Sequence, residues 1–308
     1  MPRWSATQIP DQTGRNVLIT GANSGLGRYS AATLASRGAR VLLACRSAER
    51  GQQAVDEIRD AGGEAELVEL DLADLSSVRQ AASTARALCP GGIDILMNNA
   101  GVMAPPLSRT QDGFELQMGV NHLGHAALTW LLMPSLMRPG ARVVTLSSIA
   151  HRAGAIDLSD LNYEYRKYNA GRAYGQSKLA NLLFAFELDR RARAAGLDLL
   201  SVAAHPGVTA TDLGGNMARA RGSSWMEKGW GLLNRVVNQP VADGAAPQLY
   251  AATMPDVRSG DYYGPDGPGE ARGGPKKVSS TAAAQDTRVA AELWDLTATL
   301  TGVTPDPR

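Results

Sequence analysis

Cysteine is nearly missing from this chain. Cys45 and Cys89 are the two in 308 residues, too few for a disulfide framework and suited to a reducing compartment. Neither lies in a CxxC pair or a Cys/His cluster, so no metal site is expected. Charge excess is missing too. The 31 basic and 30 acidic side chains nearly cancel. The basic ones, mostly arginine, are scattered, which gives no reason to expect nucleic acid as a partner. No apolar run has the length of a membrane span, and residues 1–14, an N-terminal extension, lack the apolar core of a signal peptide. These absences lead to the expectation of a soluble, cytoplasmic protein.

What is present suits one large domain, since 44% of the residues are apolar and a chain of this length buries an ample core. Short apolar runs at 16–20, 40–45, 67–70, 93–97, 142–146 and 197–203 read as strands. Helical patterns separate them. One covers 28–37 and is stopped by Gly38, one is capped by Ser47 and ends near Gly62, one covers 114–132, and a last one covers 283–300. Strands alternating with helices predict an α/β, doubly wound parallel sheet of about seven strands, flanked by helices in a single Rossmann-type domain over residues 15–308. Residues 264–277 are rich in Gly and Pro and read as loop, opening a C-terminal extension over 264–308.

Between the first strand and the first helix stands Thr20-Gly21-Ala22-Asn23-Ser24-Gly25-Leu26-Gly27. Its glycines allow a tight turn and close approach of a pyrophosphate, and the helix N-terminus behind them offers free N–H groups. A glycine trio alone is a weak signal, equally an ordinary turn; the strand–helix context makes it a nucleotide loop. The second strand ends Ala44-Cys45-Arg46. No acid stands there to accept from the adenosine ribose, as NAD binding favours. Arg46 offers a planar fork for a 2′-phosphate instead, with Arg28 as a second cation, so NADP(H) is favoured over NAD(H). Asp71 could reach an adenine amino group with Leu72 against the ring, although an acid there is also a common turn residue. Asn98-Asn99-Ala100-Gly101 is small and polar where backbone would pass close to the cofactor.

Tyr174 and Lys178 are four apart and open an apolar helical run, so they share one face. A cation beside a phenol lowers its pKa, which would let Tyr174 exchange protons near neutral pH. Ser147 and Ser148 end the fifth strand, at the edge where open parallel sheets bind ligands, and alternation turns only one of them to the site. Asn121 lies in the helical stretch beside them, where a buried amide needs partners whatever else it does. A second Tyr-x-x-x-Lys, Tyr163 and Lys167, sits in a polar stretch with no apolar face. Tyr163, Tyr165 and Tyr168 read as loop or substrate-rim residues.

Together these residues resemble the classical short-chain dehydrogenase/reductases over about residues 15–212. The likeness rests on Thr20-Gly21-x-x-x-Gly25-x-Gly27, Asn98-Asn99-Ala100-Gly101, Asn121, Ser148 and Tyr174-x-x-x-Lys178. His205-Pro206-Gly207 with Thr209 and Thr211 follows the sixth strand as that family expects. Ala44-Cys45-Arg46-Ser47, Val120-Asn121-His122-Leu123-Gly124-His125 and Ser177-Lys178-Leu179-Ala180-Asn181 look like its retinol-dehydrogenase-like group. The resemblance implies an oxidoreductase in which Tyr174 is the general acid/base and Lys178 lowers its pKa and binds the nicotinamide ribose. Ser148 holds the substrate oxygen, and Asn121 positions a water in a relay toward Lys178. It also implies cofactor contacts at Pro206, Gly207, Thr209 and Thr211, and a homodimer or homotetramer built on the helices after Asp112 and after Tyr174. The extension from residue 264 could block or remodel one such surface. The membrane anchor of many animal relatives is missing, so retinoid specificity does not follow.

Residues 213–240 carry Met217, Trp225, Met226, Trp230, Leu232, Leu233, Val236 and Val237. They read as a lid whose apolar wall favours a lipid-derived aldehyde, steroid, terpenoid or polyketide-like ketone, with plain packing as the equal alternative. Two other functions share such a fold. An epimerase or dehydratase that retains its nucleotide usually shows TGxxGxxG and a larger C-terminal domain. A non-enzymatic nucleotide sensor usually loses part of the catalytic set, and here all its members stand.

Overall fold

Val17, Leu18 and Ile19 are all fully buried, as a strand covered on both faces requires. The same holds for most of the sheet. The computed structural model describes residues 4–208 and 239–307. Among them the strands are β1 (Asn16–Thr20), β2 (Arg40–Cys45), β3 (Glu64–Glu69), β4 (Ile95–Asn98), β5 (Ala141–Leu146), β6 (Leu199–Ala204), β7 (Tyr262–Pro265) and β8 (Pro275–Lys277). They form one sheet in the order β3-β2-β1-β4-β5-β6-β7-β8, parallel except for the β7–β8 pair. The chain leaves β1 for one side of the sheet and returns at β4 on the other. That reversal opens a crevice beyond the carboxyl ends of β1 and β4.

The helices are α1 (Gly25–Ala35), α2 (Ala48–Asp60), α3 (Leu75–Leu88), α4 (Leu116–Met118), α5 (Gly124–Leu136), α6 (Ala170–Ala194), α7 (Val241–Thr253) and α8 (Thr287–Thr301). Alternate strand residues choose the layer they meet. Ile19, Leu43, Met97 and Val144 pack with Leu34, Val55 and Leu249 from α1, α2 and α7. Leu18, Leu42, Leu96 and Val143 pack with Val78, Trp130 and Leu188 from α3, α5 and α6.

The sheet edges differ from expectation. β3 begins at Glu64, three residues before its apolar run, because an edge strand tolerates exposed Glu64 and Glu69. β8 lies inside the segment read as loop; three residues with a Pro and two Lys carry no strand signal, yet they close the other edge. The helix expected over 114–132 is interrupted. α4 runs into a wide turn, Gly119–Leu123, before α5, and the Gly124 N–H reaches back five residues to the Gly119 carbonyl. Gly124 is needed there, since a Cβ would stand 2.7 Å from the Leu72 carbonyl.

The C-terminal helix α8 lies on α5 and α6. Trp294 stacks on Phe184 (5.3 Å, 17°) and meets Trp130 edge-on at 4.9 Å, while the Arg191 guanidinium covers the Trp294 ring at 4.9 Å. Asp286 caps the helix by accepting from the Arg288 and Val289 N–H groups. The apolar face offered by α5 and α6 is thus covered by the chain itself.

Candidate active site

The nucleotide loop is built for tightness. Gly21 holds φ +67° and donates to the Ala44 carbonyl at 2.8 Å. A Cβ on Gly27 would run into the Gly21 carbonyl and stand 2.6 Å from Asn99 Nδ2. The first helical bond of α1 runs from Arg28 N–H to the Ser24 carbonyl at 3.2 Å. The N–H groups of Gly25, Leu26 and Gly27 precede it and point out of the helix end. Below the loop, burial pushes the Cys45 thiol up to about 11, while the Ala22 and Asn23 N–H groups bond it.

The residues around the loop divide. Arg46 is exposed at the end of β2, whereas Arg28 pairs with Glu57 of α2 and is not a free second cation. Asp71 Oδ1 accepts from Ala73 N–H at 2.9 Å, the turn role. Leu72 turns its side chain into the core instead of toward a ring. Asn98 is buried and donates to Thr129 Oγ1 at 2.9 Å. Asn99 donates to the Thr20 carbonyl at 2.7 Å and accepts from Gln248 Nε2 at 3.3 Å. Both asparagines therefore lock the crevice floor. The opening itself is lined by Ala100 and Gly101: a Cβ on Gly101 would stand 3.4 Å from Lys178 Nζ and 3.2 Å from Asn121 Oδ1.

At the end of β5, Ser147 is buried and donates to the Lys178 carbonyl at 2.8 Å, stapling the strand to α6. Ser148 is partly open and hydrogen-bonds Tyr174. Lys178 extends along the same face of α6, with Nζ 5.8 Å from the Tyr174 ring centroid, and donates to the Leu146 carbonyl at 3.2 Å. The electrostatics differ from the simple expectation. Burial raises the Tyr174 pKa, and the Ser148 hydrogen bond only opposes it. The same burial pushes Lys178 down to about 8. Desolvation of both groups outweighs the pairing, because the ammonium is turned to a carbonyl and not to the phenol oxygen. Asn121 uses its whole side chain on neighbours. Oδ1 accepts from Val102 N–H at 2.8 Å, and Nδ2 donates to the Val102 carbonyl at 3.0 Å and Ser177 Oγ at 2.9 Å.

The family model described as short chain dehydrogenase matches residues 15–222, the stretch that holds this loop and this cluster. The chain belongs to the short-chain dehydrogenase family. It is 40% identical to human retinol dehydrogenase 13, spanning 94% of this chain and 85% of the relative. It is 38% identical to human retinol dehydrogenase 11, over 98% and 89%. A crystal structure of a Mycobacterium paratuberculosis protein superposes with a TM-score of 0.82 at 43% identity, covering 98% of each chain. A short chain dehydrogenase from Burkholderia cenocepacia J2315 in complex with NADP superposes with a TM-score of 0.63 at 26% identity, covering 82% of this chain and 96% of that one. This short-chain dehydrogenase is thus retinol-dehydrogenase-like, an NAD(P)-dependent oxidoreductase acting on CH–OH or C=O groups.

The rest of its site follows from that frame. Gly207, with φ +70°, donates to His205 Nδ1 at 3.2 Å, and Gln239 Nε2 donates to the Pro206 carbonyl at 2.6 Å. Thr209, Thr211 and most of the expected lid at 213–240 lie outside the described residues. His205 Nε2 donates to Glu270, which also pairs with Arg152 at 2.7 Å, so the C-terminal extension ties β6 to the segment after Ser148. Tyr163 and Tyr168 lie in loop, one of the two expected alternatives, and Tyr163 lines a cavity with Ala153, Ala155 and Arg172. Tyr163 is buried beneath the Arg166 guanidinium at 4.1 Å, and the Tyr168 hydroxyl donates toward Glu115 and Pro105. Tyr165 alone of the three is exposed, at 89%. Sequence reasoning gave no individual role to Ser177, Asn181, His122 and His125: Ser177 and His125 hold Asn121, Asn181 shares the Leu146 carbonyl with Lys178, and His122 bonds Thr297 of α8. Their signal was polarity inside otherwise apolar helical runs.

Proposed function

We propose that this chain is an NADP(H)-preferring carbonyl reductase and alcohol dehydrogenase acting on apolar substrates. The observation that carries it is the Ser148–Tyr174 hydrogen bond with Lys178 buried alongside, at the carboxyl end of the sheet and across Gly101 from the nucleotide loop. The residues fit a dinucleotide: free N–H groups at Gly25, Leu26 and Gly27 suit a pyrophosphate, and the side-chain-free face of Gly101 leaves room beside Lys178. Exposed Arg46, with no acid to hold a ribose hydroxyl, suits a 2′-phosphate. Asn23, Ser24, Asp71, Asn98, Asn99, Ala100, Pro206, Gly207, Thr209 and Thr211 complete the proposed cofactor set, the two asparagines from behind; Leu72, turned into the core, is left out.

When bound, NADP(H) supplies or takes the hydride. Ser148 orients the substrate oxygen, and Tyr174 gives it a proton or removes one within hydrogen-bond reach. Burial keeps Tyr174 a phenol at neutral pH, the form that donates to a carbonyl oxygen in reduction. Lys178 approaches the nicotinamide ribose side, and Asn121 keeps the helix turn behind it in place. The catalytic unit covers residues 15–308, with 213–240 as its lid, in the cytoplasm. The names of the relatives, retinol dehydrogenases, describe a long apolar alcohol, which agrees with the Trp- and Met-rich sequence of 213–240.

Titration with NADPH and NADH, followed by tryptophan quenching, tests the cofactor. NADPH should bind more tightly, and Arg46→Asp should reverse the order. A panel of bulky apolar and small hydrophilic carbonyls tests the substrate, and activity confined to the small ones would refute it. Tyr174→Phe should cost about 100-fold or more in kcat with NADPH binding retained. Binding without turnover on any carbonyl would leave a nucleotide sensor.

A further inference from the structure

Asn121 is anchored through its side chain to Val102 and Ser177, and its backbone carbonyl is engaged as well. That carbonyl accepts from His125 Nδ1 at 3.0 Å. The far side of the same ring meets Thr20 Oγ1 at 2.8 Å. Thr20 Oγ1 in turn accepts from the Asn99 and Ala100 N–H groups, each at 2.9 Å. We propose that His125 is a positioning residue, a single neutral imidazole that ties the crevice floor under the cofactor to the Asn121 carbonyl. Its importance for turnover rests on the function proposed above; the arrangement itself does not.

Counting hydrogens fixes the tautomer. A carbonyl only accepts, so His125 Nδ1 carries the proton. Both lone pairs of the Thr20 hydroxyl are taken by the two backbone N–H groups, so its one proton goes to His125 Nε2; the alternative acceptor, the Met97 carbonyl, is 3.4 Å away. Every member of the chain is then satisfied once, as a buried polar network requires. An imidazolium would aim a second N–H at an oxygen with no free lone pair. Burial pushes the His125 pKa down to about 3, with the Lys178 ammonium acting in the same sense and the hydrogen bond to the Asn121 carbonyl opposing it. The turn that carries Asn121 departs from the regular α-helix, closing over five residues instead of four. Residues 20, 99 and 100 border the proposed cofactor site, and a shift there reaches Asn121 through one rigid ring.

Two measurements test this. Two-bond 15N spectra of histidine-labelled protein report each tautomer without any assay of turnover. The other three histidines are replaced one at a time to assign them. His125 should show Nδ1–H and stay neutral from pH 5 to pH 9, as should be seen whether or not a substrate is known. An Nε2–H tautomer, or titration near the ordinary value, would overturn the proposal. The second is a double-mutant cycle on NADPH-dependent reduction with Thr20→Val and His125→Phe. Each alone should lower kcat about tenfold with substrate KM little changed, and the pair should be no worse than the poorer single variant. His125→Gln, which keeps a donor and an acceptor, should recover part of the loss. Additive losses in the pair, or unchanged kcat in both singles, would refute the coupling. If the protein reduces no carbonyl at all, the spectra still decide the arrangement while the proposed function fails separately.

Discussion

A strand turns successive side chains to opposite sides, and at the end of β5 this sends Ser147 inward to the Lys178 carbonyl and leaves Ser148 beside Tyr174. The two serines should therefore fail differently. Ser147→Ala should cost about 1–3 kcal/mol of stability, read as a lowered urea midpoint, with the pH profile of turnover unchanged. Ser148→Ala, which loses a half-exposed cap on the Ala150 N–H, should lower the midpoint less than Ser147→Ala and lower kcat. Lys178 gives a second test. Its folded pKa lies at about 8 against an ordinary 10.5, so between those values the unfolded chain holds a proton that the folded one lacks. Stability then rises with pH across that window, and below it both states are charged and the folded one bears a constant penalty of about 3 kcal/mol. Lys178→Met should be more stable than the wild type at pH 7, with the difference shrinking toward pH 10.5 in thermal melts. The Leu146 carbonyl keeps Asn181 as a donor at 2.8 Å in that variant. At this scale the sequence pointed to the groups that the structure brings together, Ser148, Tyr174 and Lys178, because their residue types and spacing are local. It missed their titration, which depends on burial supplied by the whole fold.

Elements built from dense apolar runs were legible: β1, β2 and β5 fall within a residue or two of their expected bounds. Elements whose signal lies elsewhere in the chain were not. At the wide turn Gly119–Leu123, Thr110 and Leu72 come so close to Gly119 and Gly124 that neither leaves room for a Cβ, and these contacts lie outside the turn's own sequence. β8 is defined by its antiparallel pairing with β7, a long-range partner its own three residues do not announce. The expected final helix was found, but its resting place on α5 and α6 was only one of two alternatives. Trp294 is fully buried there among Trp130, Phe184 and Arg191. Trp294→Ala should cost about 3–5 kcal/mol. It should also bare apolar surface of α5 and α6, so that size-exclusion chromatography shows more self-association than the wild type. A variant that stays at the wild-type elution volume with an unchanged melting temperature would contradict that packing.

For the molecule as a whole, buried neutral histidines set the acid limit. His122 is held down to about 4 and His125 and His205 to about 3, in each case chiefly by burial, against an ordinary 6.5. Their depressed folded values mean that the unfolded chain takes up protons the folded chain refuses. Stability is complete above 6.5 and is lost as pH falls toward 4. Three such groups give a slope of roughly 3–4 kcal/mol per pH unit between pH 6 and pH 5, and uptake of about three protons on unfolding at pH 5, measurable by calorimetry in buffers of different ionisation enthalpy. His122 also joins the two ends of the molecule's architecture, since its Nε2 meets Thr297 Oγ1 of α8 at 3.0 Å. The helix that closes the α5–α6 face comes from the same chain. In a two-fold dimer each change in the shared patch acts twice, and a damaged subunit spoils its intact partner. Here a change at Trp294 acts once and can be answered by a change at Phe184 in the same gene copy. The Trp294–Phe184 contact lies within one chain, so each gene copy carries both halves of it.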